Sequence, residues 1–166
     1  GILSSSDTVC KNSNNGTLTL SGYTGTIQHW EFSTDGGITW LILGNTGTTQ
    51  SYLNLSTTTA YRTYVKNGNC NGTVSSVATI RVEDPVNAGT LSASASYCDT
   101  LNSGALTLAG SVGPILMWQS SVNGGLTWTN IANTTTSLSY TNVKLTTQYR
   151  AIIGNVGCGN DTSNVV

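Results

Sequence analysis

Ile27-Gln28-His29-Trp30-Glu31-Phe32-Ser33-Thr34-Asp35-Gly36-Gly37-Ile38-Thr39-Trp40-Leu41-Ile42-Leu43 reads as a strand, a tight turn and a second strand. The flanks, Ile27 to Phe32 and Ile38 to Leu43, are rich in β-branched and aromatic residues. The centre holds Asp35, Gly36 and Gly37, which tolerate the positive φ angles of a hairpin. The same device returns 88 residues later, with Ser121-Val122-Asn123-Gly124-Gly125 at its centre. Shifting the chain on itself by 88 residues aligns Cys10 with Cys98, Trp30 with Trp118, Trp40 with Trp128, Tyr52 with Tyr140, Tyr61 with Tyr149 and Cys70 with Cys158, without an insertion. About two-fifths of the overlapping positions are identical. Unbroken register at that level means two copies of one module in series.

Working outward from the hairpin, Leu18-Thr19-Leu20, Ser51 to Leu55, Tyr61 to Lys66 and Val77 to Val82 are further short runs of strand-forming residues. Gly/Asn/Ser/Thr clusters separate them at the spacing of a β-sandwich. No window carries apolar residues at helical spacing for long, and the threonine load disfavours helix. The expected fold is all-β: two tandem Ig-like/fibronectin-III-like sandwich modules in an extended array, over 1–82 and 89–166. Residues 83–88, with Glu83-Asp84-Pro85 breaking the strand pattern, form the expected linker. Repeat 2 has no counterpart of Thr79 to Val82, so the chain is expected to be a piece of a longer tandem protein truncated in the last strand.

Composition narrows the function. Thr (28), Ser (20), Asn (17) and Gly (19) make up half of the 166 residues, and charged residues are only 8%. A soluble domain ordinarily carries about a quarter, so this surface is built from hydroxyls and amides. Six basic residues and a net charge of −1 supply neither a phosphate-neutralising stripe nor a basic face for anionic lipid. Nucleic acid and membrane are therefore excluded as partners, and no apolar run is long enough to span a bilayer.

The string Cys-x(5)-Gly-x-Leu-x-Leu-x-Gly, then Trp-x-x-Ser-x-Asp-Gly-Gly-x-Thr-Trp, then Thr-Thr-x-Tyr-Arg and a closing Cys resembles the Ig/fibronectin-III-like repeats of large Bacteroidetes cell-surface adhesins. Its nearest likeness is the SprB-type mobile adhesin of gliding motility. The resemblance implies a non-catalytic stalk or filament module, export by type IX secretion, an extracellular place on the cell surface, and a role in attachment and gliding. It implies neighbouring repeats of the same chain as partners, with a surface polysaccharide or abiotic surface as the target. The chain is expected to be a monomer without a cofactor. The alternatives are a carbohydrate-binding module of a secreted protein and an Asp-box glycosidase fragment.

Ser33-x-Asp35-x-Gly37-x-Thr39-Trp40 matches the Asp-box of sialidase-type propellers, and Ser121, Asn123, Gly125, Thr127 and Trp128 repeat it with Asn for Asp. A sialidase also needs an arginine cluster for the substrate carboxylate and a tyrosine nucleophile with an acid partner. Arg62, Arg81 and Arg150 are scattered and the acids are dispersed, so the motif reads as a hairpin device and no catalytic residue is assigned. Trp40 and Trp128 either pack in the core or line a sugar-binding face. Leu55 six residues before Tyr61, and Val143 before Tyr149, have the layout of a tyrosine corner.

The cysteines stand two per repeat at one spacing, and in an exported chain an even count favours disulfides. Spacing selects Cys10–Cys70 and Cys98–Cys158. In a plain Ig-like topology, however, those segments lie at opposite ends of the module. Either Cys10 runs up beside the sixth strand or the thiols are free. With no Cys-x-x-Cys and His29 the only histidine, no metal is expected. Calcium at Glu83-Asp84 would need more oxygen ligands than are in reach. Asp7-Thr8-Val9 and Asp99-Thr100-Leu101 match an Asp-Ser/Thr-aliphatic acceptor, which makes Thr8 and Thr100 candidates for O-glycosylation.

Overall fold

Strand-length runs separated by turn residues build an all-β chain with no helix in the described residues. The computed structural model describes residues 1–92, 95 and 102–166. It divides into two units, Gly1–Asp84 and Pro85–Val166, with the boundary inside the stretch read as linker. Each is an Ig-like/fibronectin-III-like β-sandwich.

Unit 1 contains β1 (Ile2–Leu3), β2 (Asp7–Cys10), β3 (Asn15–Ser21), β4 (Thr26–Ser33), β5 (Leu41–Leu43), β6 (Thr49–Leu53), β7 (Thr59–Lys66), β8 (Thr73–Val74) and β9 (Ala78–Glu83). One sheet has the order β1-β3-β6; the other runs β2-β9-β7-β4-β5, with β8 also pairing β7. All pairs are antiparallel except β2 with β9, which is parallel and sets Cys10 opposite Glu83. Unit 2 repeats the plan with β10 (Thr90–Leu91), β11 (Ser103–Ala109), β12 (Ile115–Ser121), β13 (Thr129–Ile131), β14 (Ser137–Thr141), β15 (Gln148–Asn155) and β16 (Gly159–Thr162). Its sheets are β10-β11-β14 and β13-β12-β15-β16.

Alternation decides which face is buried. In β3 Leu18 and Leu20 point inward while Thr17 and Thr19 face water. The core of unit 1 gathers these with Ile27, Trp30, Tyr61, Val65 and Ile80 around an indole with no exposed surface. Trp118 holds the same place in unit 2, among Leu106, Leu108, Ala151 and Ile153. Each buried indole keeps a partner, Trp30 Nε1 donating to Gly47 O at 2.8 Å and Trp118 Nε1 to Thr135 O at 3.0 Å. A bulge between Ile27 and His29 lets Ile27 and Trp30 both face the core despite their odd spacing, and the copy between Ile115 and Met117 does so in unit 2.

Two features differ from the sequence expectation. The second hairpin strand begins at Leu41 rather than Ile38, because Asp35 draws the Ile38 and Thr39 amides into the turn. Strands β1 and β2, too short for a periodic signal, complete the sandwich edges.

Candidate functional site

The hairpin after β4 assembles the densest polar group of unit 1. Gly36 and Gly37 take φ of 76° and 90°, which bends the chain back over Ser33. Gly37 N donates to Ser33 Oγ at 2.8 Å, and Ser33 Oγ donates to Asp35 Oδ1 at 2.7 Å. Asp35 also accepts from Ile38 N at 3.0 Å, Thr39 N at 3.0 Å and the Thr39 hydroxyl. The Thr39 hydroxyl above all, then its amide and the Ser33 hydroxyl, hold the Asp35 carboxyl well below the usual carboxylate range. It is ionised at any physiological pH and has no proton to give. In unit 2 Asn123 reproduces the turn, its Oδ1 accepting from Ser121 Oγ at 2.9 Å and Thr127 N at 3.0 Å. A position where an amide builds the same turn as a carboxylate is a turn-builder.

Trp40 and Trp128 are neither core nor open platforms. Both are half-buried. The Arg62 guanidinium lies 4.0 Å from the Trp40 ring centroid and Arg150 lies 3.9 Å from that of Trp128, each covering a ring face with a cation. Trp40 Nε1 donates to Gly37 O at 3.0 Å, tying the ring to its own hairpin. Arg62 is held in turn by Glu31 at 2.5 Å, and Arg150 by Gln119 at 2.7 Å. His29 stacks on Tyr64 with centroids 5.3 Å apart and meets Glu31 at 3.2 Å. It is a strand residue in a lateral row, Trp40–Arg62–Glu31–His29–Tyr64. Beside the row lies an open cleft of about 370 Å³ lined by Trp40, Arg62, Ser33, Gly37, Thr58 and Thr79. A second, about 410 Å³, is lined by Phe32, Tyr52, Leu53, Leu55, Thr59 and Tyr61 among others, with no carboxylate, arginine or histidine in its wall.

Among the described residues no hydrogen bond of a tyrosine corner is seen. Tyr61 is buried and Tyr149 half-buried, burial raising both phenol pKa values, and neither hydroxyl bonds back to the preceding connection. A residue the sequence reading missed holds the corner. Buried Asn14 donates through Nδ2 to Leu55 O at 2.9 Å and Cys10 O at 2.7 Å, and its Oδ1 accepts from Leu55 N at 2.9 Å. Asn102 does the same to Val143 N and O at 2.9 Å. Identity under the 88-residue shift was its one signal. Likewise Gly16 and Gly104 leave room for the rings of Tyr52 and Tyr140 on the paired strands, where a Cβ would collide with the phenol.

The Cys10–Cys70 bridge is corrected by the topology. Cys10 closes β2 beside Glu83, beyond the Thr59 end of β7, while Cys70 follows the Lys66 end. The length of β7 alone separates them by more than about 20 Å at roughly 3.3 Å per residue, against about 7 Å for a disulfide. Cys70 is an exposed free thiol, whereas Cys10 and Cys158 are disulfide-bonded. Cys98 and Thr100, and with them the Cys98–Cys158 pairing and the second acceptor, lie outside the described residues. Thr8 is half-buried on the edge strand β2. Among the described residues no three His, Cys, Asp or Glu side chains gather as a metal set. Asp84 pairs with Lys11 at 2.9 Å and Glu83 with Arg81 at 3.5 Å.

A family model described as "Domain of unknown function (DUF8696)" matches residues 1–84 and again 87–166. No curated protein matches the chain. Among solved structures, one chain of the crystal structure of a mouse coronavirus receptor-binding domain complexed with its murine receptor aligns at TM-score 0.67 and 13% identity, over 96% of this chain and 93% of that one. A marsupial T cell receptor aligns at 0.55 and 11%, over 97% and 69%. Titin domains A168–A170 align at 0.54 and 14%, over 97% and 61%. At such identities the likeness is one of fold.

Proposed function

We propose that this chain, which belongs to the DUF8696 domain family through both of its halves, is a non-catalytic stalk segment of a large extracellular adhesin working in attachment and gliding. The observation that carries the reading is that the polar groups able to do chemistry are spent inside each module and spent the same way twice. Asp35 or Asn123 closes a turn, and Arg62 or Arg150 covers its tryptophan. A repeated sandwich whose polar residues serve its own hairpins suits a spacer that extends reach without a site on every module. Its partners are then neighbouring repeats of the same chain, with a polysaccharide or abiotic surface met elsewhere along the filament. Edge residue Thr8 suits O-glycosylation in the same setting. Export by type IX secretion and display on the outer face of the cell go with this reading.

The runner-up is a carbohydrate-binding module, favoured by the open cleft beside Trp40 and Arg62. A sugar stacking on the guarded face of Trp40 would have to displace the guanidinium. Antibodies raised against the fragment should label intact cells of the source organism, and the fragment should bind no glycan on an array and release no fluorophore from a sialoside. Labelling only after permeabilisation overturns the surface reading. Micromolar glycan binding lost on Trp40→Ala transfers the function to the cleft.

A further inference from the structure

The cleft beside Trp40 and Arg62 is open in unit 1, and a side chain fills the same place in unit 2. Its walls recur under the 88-residue shift as Ser121, Gly125, Trp128, Thr146 and Arg150. One lining position does not recur. Ala60, paired with Ser33 in unit 1, gives way to Gln148, paired with Ser121 in unit 2. Gln148 brings its Oε1 to 3.3 Å from the place a Cβ on Gly125 would take, where Trp128 Cζ2 also comes to 3.5 Å. Over Gly37, in the same left-handed backbone, the Trp40 ring at 3.4 Å is the one group within 4 Å among the described residues. A carboxamide therefore stands in one copy of the cleft, and the methyl group of Ala60 leaves the other copy open. We propose that the cleft of unit 1 is a binding site for the carboxamide of a glutamine presented by a partner polypeptide, the group that unit 2 supplies to itself through Gln148.

The chemistry of the walls fits a neutral amide. Arg62 Nε is taken by Glu31, and a guanidinium carries four more N–H donors. Thr58 Oγ1 accepts from Val82 N at 3.0 Å, which leaves its own proton to give, and Thr79 adds a hydroxyl that can donate or accept. A carboxamide offers lone pairs to the first two and both lone pairs and N–H groups to the third. A carboxylate of the same shape would come up against Glu31, which already offsets the Arg62 charge, and against ionised Asp35 in the adjoining turn. An acetamido sugar fits less well, because its ring needs a bare indole face and Arg62 covers that of Trp40. In unit 2 Gln148 Oε1 is buried and meets no donor among the described residues. Its stem is rooted on β15, which confines the amide to the space over Gly125. A glutamine arriving from solution is not so confined and can turn its oxygen to the Arg62 and Thr58 donors.

Titration of the isotope-labelled full chain with N-acetyl-glutamine N-methylamide, followed through the tryptophan indole N–H resonances, tests the site. The Trp40 resonance should move saturably with a dissociation constant in the millimolar range, the scale for a ligand of this size, while Trp128 stays still. The glutamate analogue should leave Trp40 unmoved at the same concentrations. Ala60→Gln, the side chain repeat 2 already carries, should abolish the response, and Gln148→Ala should make Trp128 respond to the same probe. No saturable movement of Trp40, equal binding of the glutamate analogue, or a response that survives Ala60→Gln in a folded chain overturns the site. So does movement of Trp40 with N-acetylglucosamine and not with the glutamine probe, which gives the cleft to sugar. Where Ala60→Gln fails to fold, the parent titration and Gln148→Ala decide: a Trp128 that stays still once Gln148 is removed overturns the assignment. The titration reads one cleft of the chain in solution, so it stands or falls apart from any role in adhesion.

Discussion

At Asp35, hydrogen bonds from the Ser33 and Thr39 hydroxyls and the Ile38 and Thr39 amides converge on one carboxylate. They stabilise the charged form, so the folded carboxyl titrates below its ordinary range. A carboxyl with a lower pKa folded than unfolded binds fewer protons when folded. Its stabilising contribution is complete above the unfolded value, about 3.9, and fades as pH falls through the folded one. Asp35→Asn, the side chain repeat 2 already uses, should make unit 1 melt somewhat lower at neutral pH. The gap from the parent should close as the solution is acidified from pH 5 toward 2. Thermal melts followed by circular dichroism test this, since both proteins share every other acid. A gap that stays constant with pH would mean that the turn does not depend on the Asp35 charge.

The corner between β6 and β7 depends on Asn14, whose amide meets Cys10 O and both backbone groups of Leu55. Asn14→Ala leaves the Leu55 amide without its partner and takes one donor each from Leu55 O and Cys10 O, which keep Asn12 N and Ser13 N, at about 1–3 kcal/mol for the unsatisfied group. Chemical denaturation should show unit 1 destabilised by about 1–3 kcal/mol, with unit 2 unchanged, because Asn102 holds its own corner. Tyr61→Phe should be close to neutral, since the hydroxyl holds nothing. The reverse order of effects would restore the tyrosine corner. The longer strands of repeat 1, β3, β4, β6, β7 and β9, were legible because they follow from period-2 burial and turn chemistry, which are local. The bulge at Ile27 to His29 was not legible, because an extra residue in one strand is defined by what lies opposite it. The Asn14 corner was equally hidden, because its partner is 41 residues away.

For the chain as a whole, each unit closes its own core, around Trp30 in one and Trp118 in the other. Gly1–Asp84 expressed alone should therefore melt cooperatively with the circular dichroism of a β-sandwich, and a non-cooperative melt would show that the unit depends on its neighbour. The sequence by itself determined that the chain is two copies of an all-β module, that its hairpins turn on Asp35-Gly36-Gly37 and Asn123-Gly124-Gly125, and that Trp30 and Trp118 are equivalent. Those properties live in neighbouring residues and in a repeat that comparison of the chain with itself exposes. Only the tertiary structure decided that Trp40 lies beneath Arg62, that Asn14 rather than Tyr61 ties the corner, and that Cys10 cannot reach Cys70. Each depends on which strand ends meet in space, and two cysteines spaced alike in both repeats can still stand at opposite ends of a sandwich, too far apart to bond.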